Sequence, residues 1–250
     1  MQAYLTLTRR ELAGYFLSLT GYIIIAAALF LMGLSFVVLL EKLQLEPTLM
    51  PVTELFYITP FFWLILLLST PVITMRLFAL EKFSGTFETL MTAPVSDLEV
   101  VLAKFTAALV FYLLMWLPLL GCLLIVRHYT NDPSAFDLGA VGSTFLGIAL
   151  LGCLFLSLGC CASAMTRSQV TAAMISLVFG ASLFLLGVLS SQLPLRPSWQ
   201  TQLLAALAFF EQMHDFARGV IDTRAVVLYL SATLFFLFLT LRIVESRRWK

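Results

Sequence analysis

The 250-residue chain is 61% hydrophobic and only 12% charged, with a mean hydropathy of +1.00. Soluble domains carry about a quarter charged residues, so a membrane protein is expected and a soluble enzyme is excluded. Fifteen basic residues nearly balance fourteen acidic ones for a net charge of +1, which leaves no electrostatic argument for a nucleic-acid partner.

Residues 2–20 carry Leu5, Leu12, Phe16 and Leu19 at helical spacing, with Arg9, Arg10 and Glu11 on other faces. The pattern suits a helix lying on a membrane surface, with a frayed polar tail as the alternative. Residues 21–40 then run without a charge. At ~1.5 Å per residue that run crosses about 30 Å of hydrocarbon, and it is too long for the core of a signal peptide. A polar loop with two prolines leads into a second apolar run over residues 55–75, where Pro60 and Pro71 predict kinks.

The charged stretch 76–104 separates the second and third runs. Ser84-Gly85 predicts a helix end, Thr86 offers an N-cap hydroxyl, and Glu88 places a carboxylate where the helix dipole favours it. A short helix is expected from Phe87 to Thr92, stopped by Pro94. Ser96 and Glu99 then match a capping box, with Val95 and Val100 at the staple positions of the next helix. The segment therefore reads as helix end, short helix, turn and helix start, with its charges exposed.

Further spans are expected at residues 105–126, 138–165, 170–193 and 225–241, giving six in an all-α membrane fold. In the fourth, Ala149, Cys153, Ser157 and Cys161 recur every four residues; in the fifth, Ala172, Ser176 and Gly180 do the same. Such small-residue stripes let helices approach closely, and the two are expected to meet. The segment 194–224 contains Pro194 and Pro197, then an amphipathic half ending at Gly219, which suits a helix dipping shallowly into the interface. All four cysteines, Cys122, Cys153, Cys160 and Cys161, lie in apolar runs, where thiols pack as small hydrophobes. Neither a disulfide nor a metal site is expected.

Six spans place both termini on one side. Arg9, Arg10, Arg76, Lys82, Lys104, Arg167, Arg242, Arg247, Arg248 and Lys250 fall on that side, and Lys42, Arg127, Arg196, Arg218 and Arg224 on the other. The positive-inside rule therefore predicts cytoplasmic termini and a cytoplasmic 76–104 segment, with 194–224 outside.

Catalytic signatures are missing. The six spans hold no ionisable carboxylate, lysine, arginine or histidine of the kind an intramembrane enzyme or proton-coupled carrier keeps for its task. His128 and His214 lie in separate polar segments, no lysine follows a glycine as a phosphate-binding loop requires, and there is no GxSxG. A bundle of this kind fits a transport subunit whose energy arrives from a separate protein. An intramembrane enzyme is the least favoured reading.

Met75-Arg76, Glu81-Lys82, Gly85-Thr86, Glu88, Leu90, Pro94-Val95-Ser96 and Lys104 resemble the pattern of type 2 ABC transporter permeases. Within that family the chain is most similar to the gliding-motility-associated permease group, through VITMRLF, TRSQ, RGVIDTR and ESRRW. The resemblance implies an N-terminal amphipathic elbow helix over residues 1–20, followed by a six-span permease domain over residues 21–250. It also implies a coupling helix between spans two and three and an external helical segment before span six. Glu81, Lys82, Gly85, Thr86, Phe87, Glu88, Leu90 and Pro94 then become the positions that dock on a cytosolic ABC ATPase. The same resemblance implies a second permease protomer, either this chain again or a sister subunit, and leaves room for an accessory subunit with an extracytoplasmic domain. No cofactor is expected in this chain; ATP and Mg belong to the partner ATPase. The expected location is the bacterial inner membrane, among its lipids, with an exporter-type function. The alternative is a membrane scaffold that transmits force without moving a substrate.

Overall fold

The computed structural model describes residues 2–45, 56–57, 59–87, 95–130, 137–192 and 207–246, and the described residues are almost entirely helical, with no strand among them. Ten helices follow in order: α1 Gln2–Phe16, α2 Leu19–Leu45, α3 Pro60–Thr74, α4 Ala79–Ser84, α5 Asp97–Trp116, α6 Pro118–Thr130, α7 Leu138–Met165, α8 Gln169–Gln192, α9 Phe209–Ala217 and α10 Thr223–Ser246. Among the described residues, six stretches are long and apolar enough to cross a membrane: Leu19–Lys42, Pro60–Ser84, Asp97–His128, Leu138–Met165, Gln169–Ser190 and Thr223–Ser246. The six-span, all-α expectation holds because each apolar run is continuous and can satisfy its backbone only as helix.

Helix α7 is the axis of the bundle. It packs against α3, α5, α8, α9 and α10, most extensively against α10, and nearly all of its residues from Gly147 to Ala164 are buried. Three of its glycines explain the close approach. A Cβ on Gly152 would lie 2.2 Å from the Tyr112 ring of α5, and one on Gly159 would lie 2.1 Å from the Thr74 hydroxyl of α3. On Gly147 it would press on Phe216 and Met213 of α9 at 3.0–3.1 Å. The predicted stripe on α8 faces inward: Ala172 and Ser176 are buried, and Gly180 sits against Phe155 of α7 and Leu67 of α3. On α7, Ser157 is fully buried, Ala149 and Cys153 are half-buried, and Cys161 meets Thr240 of α10.

One proline expectation needs correction. Pro60 occupies the first turn of α3, where its missing N–H costs nothing, so it starts a helix instead of kinking one. Pro71 does lie inside α3, which continues to Thr74. The third span, read as one run, breaks at Leu117: α5 ends at Trp116 and Pro118 opens α6. There Leu117 N–H bonds Leu114 O at 3.2 Å and Leu120 N–H bonds Leu117 O at 3.0 Å, a tightened turn that a proline favours.

The helix before the last span packs on the bundle through its apolar side chains. In α9, Phe209, Met213, Phe216 and Ala217 are buried against the bundle. Phe209 stacks on Tyr229 of α10 with ring centroids 5.9 Å apart, Phe210 lies 4.3 Å from Trp63 and 5.3 Å from Phe184, and Ser143 Oγ donates to Phe216 O at 2.6 Å. Gly219 ends the element at φ +88°, as its sequence position predicts.

Candidate functional site

The charged segment between spans two and three is built at the end of the bundle that also holds α1. Helix α3 gives way to a turn over residues 75–78, and α4 follows. Its first amides need acceptors, and the local sequence supplies none: Phe78 makes no side-chain cap. The acceptor comes from α7. Ser163 Oγ accepts from both Phe78 N–H and Ala79 N–H at 3.1 Å and donates to Met75 O at 3.3 Å. A hydroxyl from eighty-four residues away thus does what an N-cap normally does locally.

Helix α4 is pinned to the same end of α7 a second time, since Lys82 Nζ donates to Ala164 O. A cation belongs there, because the last carbonyls of a helix carry partial negative charge. Lys82 also lies over the Phe87 ring, 5.3 Å from its centroid, and Phe87 is buried. Gly85 ends α4 at φ +76° with no atom within 4 Å of a notional Cβ, so glycine is required by the backbone and not by space. Ser84 and Thr86 share a hydroxyl hydrogen bond of 2.8 Å, and a helical turn starts at Thr86 and Phe87. Glu88, Leu90 and Pro94, with the rest of the expected short helix, lie outside the described residues. Beyond them the capping box is formed: Glu99 N–H donates to Ser96 Oγ and Ser96 N–H to Glu99 Oε2, each at 3.3 Å, while Val95 and Val100 both pack on the core.

The centre of the site is ionic. Lys104, on the second turn of α5, is only 2% exposed. Its Nζ lies 2.9 Å from Glu81 Oε1 of α4 and 3.1 Å from Glu11 Oε1 of α1. Arg10 completes a square, at 2.7 Å from Glu11 and 3.2 Å from Glu81. Two cations and two carboxylates neutralise one another, which is how a buried lysine is tolerated; the Phe78 ring adds a cationic contact at 5.5 Å. Burial pushes the Glu11 carboxyl up, but Lys104 and Arg10 together outweigh it and hold that carboxyl below its ordinary value. The Arg10 guanidinium is raised, first through its hydrogen bond with Glu11.

The cluster corrects the reading of α1. Glu11 does not lie on a face turned from the bundle; it reaches in to Lys104. Leu12 and Phe16 pack on the core, whereas Leu5 and Leu19 are exposed. Tyr15 stacks on Phe111 of α5 at 4.7 Å and donates to Ile73 O of α3 at 2.9 Å, and Tyr4 OH donates to Thr106 Oγ1 of α5 at 3.0 Å. Of the sequence-predicted site residues, Glu81, Lys82, Gly85, Thr86 and Phe87 come together on or beside α4. Glu11, Lys104 and Ser163 were not expected there. Lys104 closes the quoted family pattern but is not among the expected docking positions, and Ser163 stands among alanines and cysteines with no local signal.

The arrangement is a mount: a short helix fixed to α1, α5 and α7 by charge and by hydrogen bonds, leading into a glycine-ended turn. No group of three or more His, Cys, Asp or Glu side chains able to hold a metal ion occurs among the described residues. A search of curated proteins gives no match. A family model described as ABC-2 family transporter protein matches residues 40–216, from the end of α2 through nearly all of α9, and the chain belongs to that family, as a membrane-embedded permease component of an ABC transporter.

Proposed function

We propose that this chain is the exporter-type permease that receives the work of a separate cytosolic ABC ATPase through the segment that begins at α4 and Gly85. The observation that carries the reading is the fixing of α4 to three other elements at once: to α1 and α5 through the Glu11, Glu81, Lys104 and Arg10 square, and to α7 through Ser163 and Ala164. A docking element needs such a mount, because force applied to a loose loop is lost in the loop, whereas force applied to packed helices moves them as bodies. Lys82, Gly85, Thr86, Phe87, Glu88, Leu90 and Pro94 form the docking stretch in this reading, and ATP and Mg bind in the ATPase. Glu81 then joins the stretch to the mount.

The charge asymmetry between the two sides supports cytoplasmic termini, in a bacterial inner membrane, and the motif strings quoted above support a place in the gliding-motility-associated group. A second protomer completes the assembly; the outward faces of α2, α8 and α10, which carry most of the exposed large apolar side chains, are available to it or to lipid.

The test is the double variant Glu88→Lys, Gly85→Pro, purified with its ATPase. The expected result is normal membrane insertion with loss of ATPase co-purification or of stimulated hydrolysis; full retention of both overturns the proposal. ATP-dependent flux in sealed vesicles separates transport from force transmission alone.

A further inference from the structure

Helices α2 and α3 run antiparallel and leave a groove between their halves nearest α1 and α4. It has a volume of about 160 Å³ and is lined by Ile23, Ala27, Ala28, Leu31, Ile65, Val72 and neighbouring side chains. The lining is aliphatic, without an aromatic ring. The volume is of the order of cavities that hold a benzene-sized hydrocarbon, ~150 Å³. One polar side chain interrupts it: Ser69 lines the groove and is 7% exposed, and among the described residues its hydroxyl has no hydrogen-bond partner. Helical serines usually return their proton to a carbonyl of the preceding turn. Ser69 does not.

A cation stands one turn beyond the groove, where it lines a neighbouring pocket with Glu11 and Tyr15. Arg76 follows Val72 by one turn, and its guanidinium donates to the hydroxyls of Ser18 (3.2 Å) and Thr20, which stand just before Ile23 at the start of α2. Among the described residues Arg76 has no carboxylate in ion-pair contact, unlike Arg10, Lys104 and Arg242. The first turn of α2 adds the partial positive charge of its amides. Covering this end with an apolar helix of a second copy would bury a guanidinium whose hydrogen-bond partners are two hydroxyls, which is costly. An anionic head over an alkyl chain satisfies both ends, since arginine forks match phosphate.

We infer that the α2–α3 groove is a binding site for an anionic phospholipid of the leaflet on the side of the termini. The phosphate lies at Arg76, Ser18 and Thr20, and one acyl chain fills the groove past Ser69. The inference uses the membrane bundle alone and stands whether or not the docking proposal does.

The probe is an equal mixture of phosphatidylglycerol and phosphatidylcholine, presented to the full chain in nanodiscs; lipid retained after transfer to detergent is counted by native mass spectrometry. The expected result is selective retention of phosphatidylglycerol, with Arg76→Ala lowering its ratio to phosphatidylcholine by about tenfold, the equivalent of one charge-assisted contact. Arg76→Lys, which keeps the charge, retains most of the preference and shows that loss in Arg76→Ala is not misfolding. Ala27→Trp, at an exposed position lining the groove, lowers retention of both lipids. Equal retention of the two lipids by the unaltered chain, or a preference unmoved by Arg76→Ala, overturns the inference. So does an Ala27→Trp chain that loses a second copy while keeping its lipid, which would make the groove an interface between protomers.

Discussion

The two ends of the bundle are held by different physics. At the end that carries the termini, α1 and α4 are fastened by four charges, the Ser163 hydroxyl and a lysine on a helix terminus. At the opposite end, α9 is fastened mainly by rings and a thioether: Phe209 on Tyr229, Phe210 on Trp63 and Phe184, Met213 and Phe216 on Gly147. Ionic contacts are directional, respond to protons, and are strongly penalised when one partner is removed. Apolar contacts are indifferent to charge and tolerate small sliding. The charged end is therefore the one where an external partner can change the arrangement by competing for a charge; the aromatic end can only follow.

The largest expected break comes from Lys104→Ala, which leaves Glu11 and Glu81 with only the half-exposed Arg10 between them in place of their buried cation. The cost is about 3 to 5 kcal/mol, read as a drop in thermal midpoint in detergent and as faster amide exchange in α1 and α4. The triple variant Lys104→Met, Glu11→Gln, Glu81→Gln removes the three buried charges, leaves the half-exposed Arg10 to water, and should recover most of that loss. A triple variant as damaged as the single one shows that the cluster is not what holds the two helices.

Next in size is Phe216→Ala at the other end, where a fully buried ring is lost from the contact with α7, for about 3 kcal/mol. Exchange should rise in α9 and the start of α7 while α1 and α4 stay protected. Equal loosening at both ends contradicts the division drawn above.

The smallest effect is that of pH. Glu11 has a folded-state value below its ordinary one, so the stability it contributes is complete above the ordinary glutamate range, about 4.3, and is lost as pH falls through the lower folded value. Acidification from neutral to below about 4.3 should first free α1, seen as exposure of a cysteine introduced at Leu12, before the Phe209–Tyr229 stack is disturbed. Simultaneous release of both ends removes the proposed role of Glu11.

Local signals were legible in the sequence and distant pairings were not. Gly85 and Gly219 both stand at positive φ, because a helix end followed by a continuing chain needs a residue without a Cβ, and that need is written at one position. The Ser96 and Glu99 capping box is likewise settled within one turn. Six spans followed from apolar runs that water cannot accept. By contrast Lys104 and Glu11 are ninety-three residues apart, and each alone looks like an ordinary charge at a membrane edge. Spacing by fours singled out Ala149, Cys153, Ser157 and Cys161, yet the tightest approaches to α7 use Gly152 and Gly159. They are seven apart, a spacing set by where Tyr112 and Thr74 arrive from other helices. Pro60 misled because a proline starts a helix as readily as it bends one, and only the unread boundary before it decides which.

Helix α7 touches both fastenings. Near its last turn Ser163 and Ala164 hold α4, and near its first turns Ser143 and Gly147 hold α9; the 28 residues from Leu138 to Met165 make a rod about 42 Å long. A rod gripped at both tips, and pinched between them at Gly152 by Tyr112 and at Gly159 by Thr74, has little freedom to bend, so the two fastenings share one stiff element. A fluorescent reporter on α9 would test whether a displacement imposed at α4 reaches the other tip.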